Sequence, residues 1–405
     1  MKPKFLKGIR FADLTWAGAG PFSTKIFSDF GAEVIKIESA TRLDSVRTGG
    51  PFKDRKYGVN RSGYFASRNT GKKSLVLDLK SDEGRRLVFD IIRRSDVISN
   101  NFGPGAMERM GLSYEAVRTV KPDIVYLSMP MYGEEGPRAD LLGVGMTISA
   151  VTGLMWSTGY RKDDPVGPGT HYPDHAANPY HAAFAVLAAL RRKRLTGEGM
   201  KIDLSQVEST INFIGTAATE SAMTGQDRPQ TGNGSVEAAP HNIFRCTGED
   251  TWVAIAATND GEWQALARVI GGADLASDTR FATAGDRLAR RDELERLVSD
   301  WVATREADEA ATALRDARVP AAVVANSRHL IERDPQLAAR GYWQRVEHPE
   351  LGNSLYASPP YRIDGERVEL ARPPLLGEHN REILGGLLGL EAQEIDRLEA
   401  AGVFK

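Results

Sequence analysis

Residues 6–38 read LKGIRFADLTWAGAGPFSTKIFSDFGAEVIKIE. Residues 9–14 are a short apolar run ending in a glycine-rich turn, Gly18-Ala19-Gly20-Pro21. A helical stretch over 22–30 follows, and residues 33–38 (EVIKIE) alternate with period two. Strand, turn, helix and strand in such close succession predict a parallel βαβ unit. The rhythm continues downstream. SLVLDL at 74–79 predicts a strand, 83–94 an amphipathic helix, and 96–99 and 123–127 further buried strands. Strands separated by helices of this length predict an α/β fold with a doubly wound parallel sheet.

The strongest helix signal is PYHAAFAVLAALRRKR at 179–194. Proline suits its first turn, and its middle is apolar nearly all round, which predicts a buried helix. The closing Arg191-Arg192-Lys193-Arg194 meets the negative end of the helix dipole, so it reads as a terminus and not as a nucleic-acid site. QDRPQTGNGSVEAAP at 226–240 marks a boundary or exposed loop. Beyond it the rhythm changes to a strand at 252–257, helices at 262–269, 292–304 and 307–315, and a strand at 321–325. This predicts a separate small α+β unit, with a final helix at 391–400.

Composition narrows the function class. Hydrophobic residues at 41% and charged residues at 26% are those of an ordinary globular protein, and 405 residues predict two domains. With 52 basic and 54 acidic residues the net charge is −2, which argues against nucleic acid or an anionic membrane as partner. Cys246 is the single cysteine, which fits a cytoplasmic setting. No signal-peptide pattern opens the chain, and no long apolar run predicts a membrane span.

Five segments together resemble the class III CoA transferases, the family of formyl-CoA and carnitine CoA transferases (CaiB/BaiF type). They are residues 6–38, YFASRNTGKKSLVLDLKSDEG (64–84), SDVISNNFGPGAMERMGLSYE (95–115), THYPDHAANPYHAAFAVLAALRRKRLTGEGMKIDLSQVE (170–208) and GEHNREILGGLLGLEAQEIDRLEAAGVF (377–404). The resemblance implies a Rossmann-like large domain built from residues 1–224 and 333–405, with a small domain inserted at 225–332. It also implies an interlocked homodimer.

Read from spacing alone, Asp174 is a carboxylate ahead of a buried helix, more often a cap or surface residue than a catalyst. The helix's positive end would keep it ionised and offer donors to an oxyanion. The resemblance makes Asp174 the nucleophile that moves CoA between acids through an anhydride and an aspartyl-CoA thioester. No cofactor is expected to be bound permanently; CoA and acyl-CoA enter as substrates, with a carboxylic acid as acceptor. By matching position, Trp16, Ala17, Gly18 and Ala19 and the strand at Leu77–Lys80 would meet adenine and pantetheine. Lys80 and Arg109 would meet phosphates, and Asn101, Phe102 and Met110 would add contacts. An arginine expected after EVIKIE is Ser39 here, leaving Arg42 or Arg47 to substitute.

The alternative of the same fold is an α-methylacyl-CoA racemase, which needs an α-proton base. Its histidine position is occupied by Val144, which cannot accept a proton; His171, His175 and His181 stand nearby. Gly18-x-Gly20 lacks a full dinucleotide fingerprint, which weakens an oxidoreductase reading. His171, Asp174 and His175 lack further ligands at metal-site spacing, so no metal is expected. A non-catalytic acyl-CoA-binding subunit is the remaining reading, opposed by the presence of Asp174. Residues 231–235 (TGNGS) are the candidate for a loop over the site, or an ordinary turn.

Overall fold

A computed structural model describes residues 4–160 and 164–405. Strand β1 (Arg10–Asp13) runs through the glycine turn into helix α1 (Ala19–Asp29), and β2 (Glu33–Glu38) returns parallel to β1 with Phe11 opposite Val34. The helix begins earlier than expected because Gly20 and Pro21 occupy its first turn, where a missing proline N–H costs nothing. The alternation in EVIKIE does not give a half-exposed strand: Val34 through Glu38 are all buried. Both faces of a parallel sheet are covered, so Lys36 and Glu38 become buried charges.

Helix α2 (Gly63–Arg68) precedes β3 (Lys73–Val76). Helix α3 (Asp82–Arg93) is capped by Ser81, whose hydroxyl accepts from the Gly84 N–H at 3.0 Å, and it buries Leu87, Val88, Ile91 and Ile92 on one stripe. Strand β4 (Val97–Asn100), helix α4 (Tyr114–Val120), β5 (Val125–Ser128), helix α5 (Gly145–Val151), helix α6 (Asn178–Thr196) and β6 (Met200–Asp203) follow. The six strands are parallel in the order β3-β2-β1-β4-β5-β6. On one face Phe11, Val34, Val97 and Val125 pack with Phe27 of α1 and Val186 of α6. On the other face Ala12, Ile35, Leu75 and Ile98 pack with α3 and with Ile383, Leu384, Ile395 and Leu398 from the far end of the chain.

Helix α6 departs from the expected burial. Ala182, Ala183, Val186 and Ala189 face the sheet, but Phe184 is 77% exposed, and Leu187 and Tyr180 also face outward. Lys193 in its last turn bridges Asp96 and Asp123 at 2.9 and 3.0 Å, so this member of the basic cluster serves the fold.

The chain divides into two compact units. One takes in the residues up to Met155, Gly167–Gln226 and Leu337–Lys405; the other takes in Trp156–Val166 and Asp227–Gln336. The first unit also contains an antiparallel hairpin, Trp343–His348 with Gly352–Ala357, and ends in the helix Ala392–Ala400. In the second unit the strands His241–Arg245, Trp252–Ala256 and Ala321–Val323 form an antiparallel sheet. Its helices Asp260–Ala276, Arg291–Val302 and Ala307–Asp316 close a core around Trp263, Phe281, Leu294 and Val298.

Candidate active site

The strand order reverses between β1 and β4, and in open α/β sheets ligands bind beyond the carboxyl ends of the strands at such a point. The turn after β1 is built for that position. The Trp16 N–H donates to Asn101 Oδ1 at 2.8 Å, and Asn101 Nδ2 donates to the Trp16 carbonyl at 2.9 Å. Ala17 has φ of 60°, a left-handed conformation strained for a non-glycine residue. Its N–H donates to Asp44 Oδ1 at 2.9 Å, which holds the turn in place.

Beneath the turn lies a buried charge network. Lys36 donates to the Thr15 carbonyl at 2.6 Å and pairs with Asp44 at 3.0 Å, while Lys72 pairs with Asp13 at 3.1 Å. Burial alone would raise the Asp13 carboxyl, but Lys72 and Lys36, with hydroxyls of Thr15 and Thr24, hold it below the usual range. Burial pushes Lys72 down to about 8. Arg47 forks onto Glu38 with two bonds of 2.8 Å and lies over the Phe65 ring at 3.6 Å.

Asp174 sits on a wide π-type turn, Pro173–Ala177, that runs directly into α6. Its carboxylate lies beside Gly145, at the start of α5, whose backbone N–H favours the charged form. Two glycines leave it room. A Cβ on Gly145 would lie 2.8 Å from Asp174 Oδ2 and 2.8 Å from His171 Cβ; one on Gly18 would lie 2.7 Å from Oδ2 and 2.9 Å from the Tyr64 hydroxyl. Asp174 is 9% exposed. Burial raises its carboxyl from the usual 3.8 to about 6, against the pull of His171, Arg68 and the Gly145 N–H. Its charged form therefore predominates at neutral pH.

Tyr64 and Arg68, one turn apart on α2, complete the surroundings of Asp174, and sequence reading gave neither a role. Their spacing in YFASRN, which places both on one helix face, was the available signal. Burial, then the Asp174 charge, raises the Tyr64 hydroxyl. His175 Nε2 lies 3.5 Å from the Tyr64 hydroxyl and Nδ1 lies 3.2 Å from Thr170 Oγ1. Burial, with Arg68 and His171 nearby, lowers His175 to about 4, so it is neutral at pH 7. His181 bonds the Ala177 carbonyl at the end of the preceding turn, 2.9 Å away.

The remaining candidates line the carboxyl edge of the sheet. Trp16, Ala17, Gly18 and Ala19 follow β1, Leu77 and Lys80 follow β3, and Asn101, Phe102, Arg109 and Met110 follow β4. Phe102 meets Trp16 edge-on at 5.8 Å, and Met110 packs against the core. Lys80 and Arg109 are exposed. Three strand spacings separate β3 from β4, about 14 Å, so one ligand meeting both must lie across the edge. The Leu77 side chain is buried in the core, leaving only backbone to face a ligand, and the Asn101 amide is engaged by Trp16. Arg47 is fully buried on Glu38 and cannot replace the arginine absent at Ser39. Arg42 is exposed, its guanidinium 5.3 Å from the Trp16 ring centre.

Val144, beside Gly145, is 60% exposed and bears no proton acceptor. In the second unit the turn at 231–235 is closed by Gly234 N–H to the Thr231 carbonyl at 3.0 Å, and His241 holds the Asn233 carbonyl at 2.8 Å. Among the described residues no cluster of His, Cys, Asp and Glu could hold a metal ion, and no helix is long and apolar enough to cross a membrane.

Comparison with known proteins agrees with this architecture. The family model described as CoA-transferase family III matches residues 6–380. A formyl-CoA:oxalate CoA-transferase of Streptomyces coelicolor is 31% identical over 419 residues, covering 100% of both chains. A succinyl-CoA:glutarate CoA-transferase of Homo sapiens is 30% identical over 401 residues, covering 99% of this chain and 90% of its own. The crystal structure of a CAIB/BAIF family protein from Brucella suis superposes with a TM-score of 0.87 at 28% identity, over 96% of this chain and 100% of that one.

Proposed function

The chain belongs to CoA-transferase family III, and from that premise we propose that it moves CoA from an acyl-CoA donor to a carboxylic acid acceptor through covalent intermediates on Asp174. The observation that carries this reading is the buried Asp174 carboxylate, set against Gly145 with no room for a side chain at Gly18 or Gly145. A carboxylate stripped of water is a stronger nucleophile than a hydrated one, and with a pKa of about 6 it remains charged at neutral pH.

Each step is an acyl substitution that balances without a net proton. An Asp174 oxygen attacks the thioester carbon, the C–S bond breaks, and CoA thiolate leaves with the electron pair. The thiolate then attacks the Asp174 carbonyl carbon of the mixed anhydride, expelling the donor acid as carboxylate and leaving an aspartyl-CoA thioester. The acceptor carboxylate attacks that thioester, thiolate leaves again, and thiolate attack on the acceptor carbonyl frees Asp174. The Gly145 N–H is placed to receive negative charge that develops on the Asp174 oxygen.

Trp16–Ala19, Lys80, Asn101, Phe102, Arg109 and Met110 are proposed to hold the CoA portion, with Leu77 contributing backbone only and Arg42 serving at the end of β2. Cations at separate strand ends suit a polyanionic ligand lying across the sheet edge. The relatives' names give oxalate and glutarate as acceptors, and both are dicarboxylic acids. We propose an acceptor of that class. A homodimer and a cytoplasmic setting belong to the same proposal; the outward Tyr180, Phe184 and Leu187 supply an apolar face for a second copy.

The test is incubation with a panel of acyl-CoA donors, each deuterated at the α-carbon, and carboxylic acids, with mass detection of new thioesters. New acyl-CoA of the acceptor acid, with the α-deuterium retained in the released donor acid, supports the reading. Loss of α-deuterium without an acceptor acid would establish the racemase instead.

A further inference from the structure

Arg68 ends helix α2 one turn beyond Tyr64. Its guanidinium carbon lies 4.5 Å from the centre of the Phe22 ring and 5.8 Å from that of Tyr64, and Tyr180 packs edge-on against Phe22 at 5.9 Å. Its Nε is buried and hydrogen-bonds to nothing, and among the described residues no carboxylate pairs with its guanidinium. The buried cations of this unit are matched: Lys25 by Asp29, Lys36 by Asp44, Arg47 by Glu38 and Lys72 by Asp13. A partly desolvated charge without a counter-ion is costly, and aromatic faces recover only part of that cost. Asp174 is near enough for its charge to act on Arg68, but the two form no ion pair. The result is a planar, five-donor cation beside the nucleophile with its pairing capacity unused.

Resting on the transferase reading above, we infer that Arg68 receives the carboxylate of the acid substrate that is not joined to CoA, and so selects dicarboxylic acids. The reacting carboxylate is a poor candidate for this partner. A carboxylate forked by a partly desolvated guanidinium has its lone pairs engaged, and its nucleophilicity falls. The reacting end must also meet Asp174 itself. An acid with a carboxylate at each end satisfies both positions, one at Asp174 and one in the aromatic-walled space at Arg68. The aromatic walls then favour a compact acid chain between the two ends.

The experiment compares kcat/KM for the C2–C6 dicarboxylic acids with that for their monomethyl esters, in the full-length protein and in Arg68→Met and Arg68→Lys. In the wild type the diacid is preferred at least tenfold over its half-ester. Arg68→Met lowers kcat/KM for the diacid about 30- to 1000-fold and leaves the half-ester within threefold, while Arg68→Lys recovers part of the preference. Equal use of diacid and half-ester by the wild type overturns the inference without needing either variant. A preference unchanged in Arg68→Met overturns it also. Wild-type protein that makes no new thioester with any acid of the broader panel refutes the transferase reading itself, a result distinct from loss of diacid selectivity.

Discussion

The backbone N–H of Gly145 favours the charged form of the neighbouring Asp174 carboxylate, and the missing side chain of Gly145 is the space that carboxylate occupies. A single methyl at residue 145 would meet Asp174 Oδ2 and His171 Cβ at 2.8 Å each, both well inside van der Waals contact. Gly145→Ala is therefore expected to displace the carboxylate. Turnover should fall at least about tenfold, with a stability loss of about 1–3 kcal/mol from overpacking. Steady-state kinetics and thermal melting of the purified variant read the two effects separately.

The elevated carboxyl of Asp174 sets a pH dependence with a definite sign. Its carboxyl rises from 3.8 in the unfolded chain to about 6 in the fold, so the folded protein favours the protonated form. The stabilising contribution is complete below pH 3.8 and is lost as pH rises through about 6. Asp174→Asn keeps an oxygen for the Gly145 N–H and removes the buried charge. It should match the wild type in stability near pH 4 and exceed it by on the order of 2–3 kcal/mol at pH 7.5. Activity runs the opposite way: wild-type turnover should fall as pH drops below about 6, because the nucleophile becomes protonated. Denaturant melts of both proteins across pH, with rates for the wild type, test both halves.

Arg42 and Arg47 stand five residues apart and should fail in different ways. Arg47→Ala strands the buried Glu38 carboxylate and is expected to cost about 3–5 kcal/mol of stability. Arg42→Ala touches only solvent and the Trp16 ring, so stability should stay within about 0.5 kcal/mol while KM for acyl-CoA rises. The KM effect of Arg42→Ala should shrink at high salt, as expected for an exposed charge contact. Melting curves and acyl-CoA titrations of the two variants distinguish the roles.

Phe184 on α6 is 77% exposed on a helix whose opposite face is packed into the sheet. The proposed homodimer predicts a wild-type mass of twice the monomer by sedimentation. Phe184→Glu should lower that mass toward the monomer or slow reassembly after dilution, with its far-ultraviolet circular dichroism unchanged.

Much of the sheet was legible because buried parallel strands are short apolar runs between turns, and residues 6–38 carry the pattern in full. Strand β6 (MKID) and the hairpin around WQRVEH were not, because charged residues at sheet edges and on hairpins leave no apolar run. Charge identity alone did not say that Arg47 is buried and Arg42 is free; that depends on Glu38 being inside the sheet. The apolar length of α6 read as full burial, yet such a pattern cannot distinguish a sheet from a second chain as the cover. Asp174 was found through resemblance. Gly145 beside it lies in a separate segment, and Tyr64 and Arg68 reach Asp174 from α2, so tertiary packing alone brings these groups together.

The central claim is the covalent role of Asp174, and intact-protein and peptide mass spectrometry under turnover tests it most directly. With donor acyl-CoA present and no acceptor acid, the account predicts a CoA thioester on the peptide containing Asp174. Hydroxylamine should cleave it and borohydride reduce it, and Asp174→Asn should carry none. An unmodified Asp174 peptide during active transfer, or full transfer by Asp174→Asn, would contradict the account.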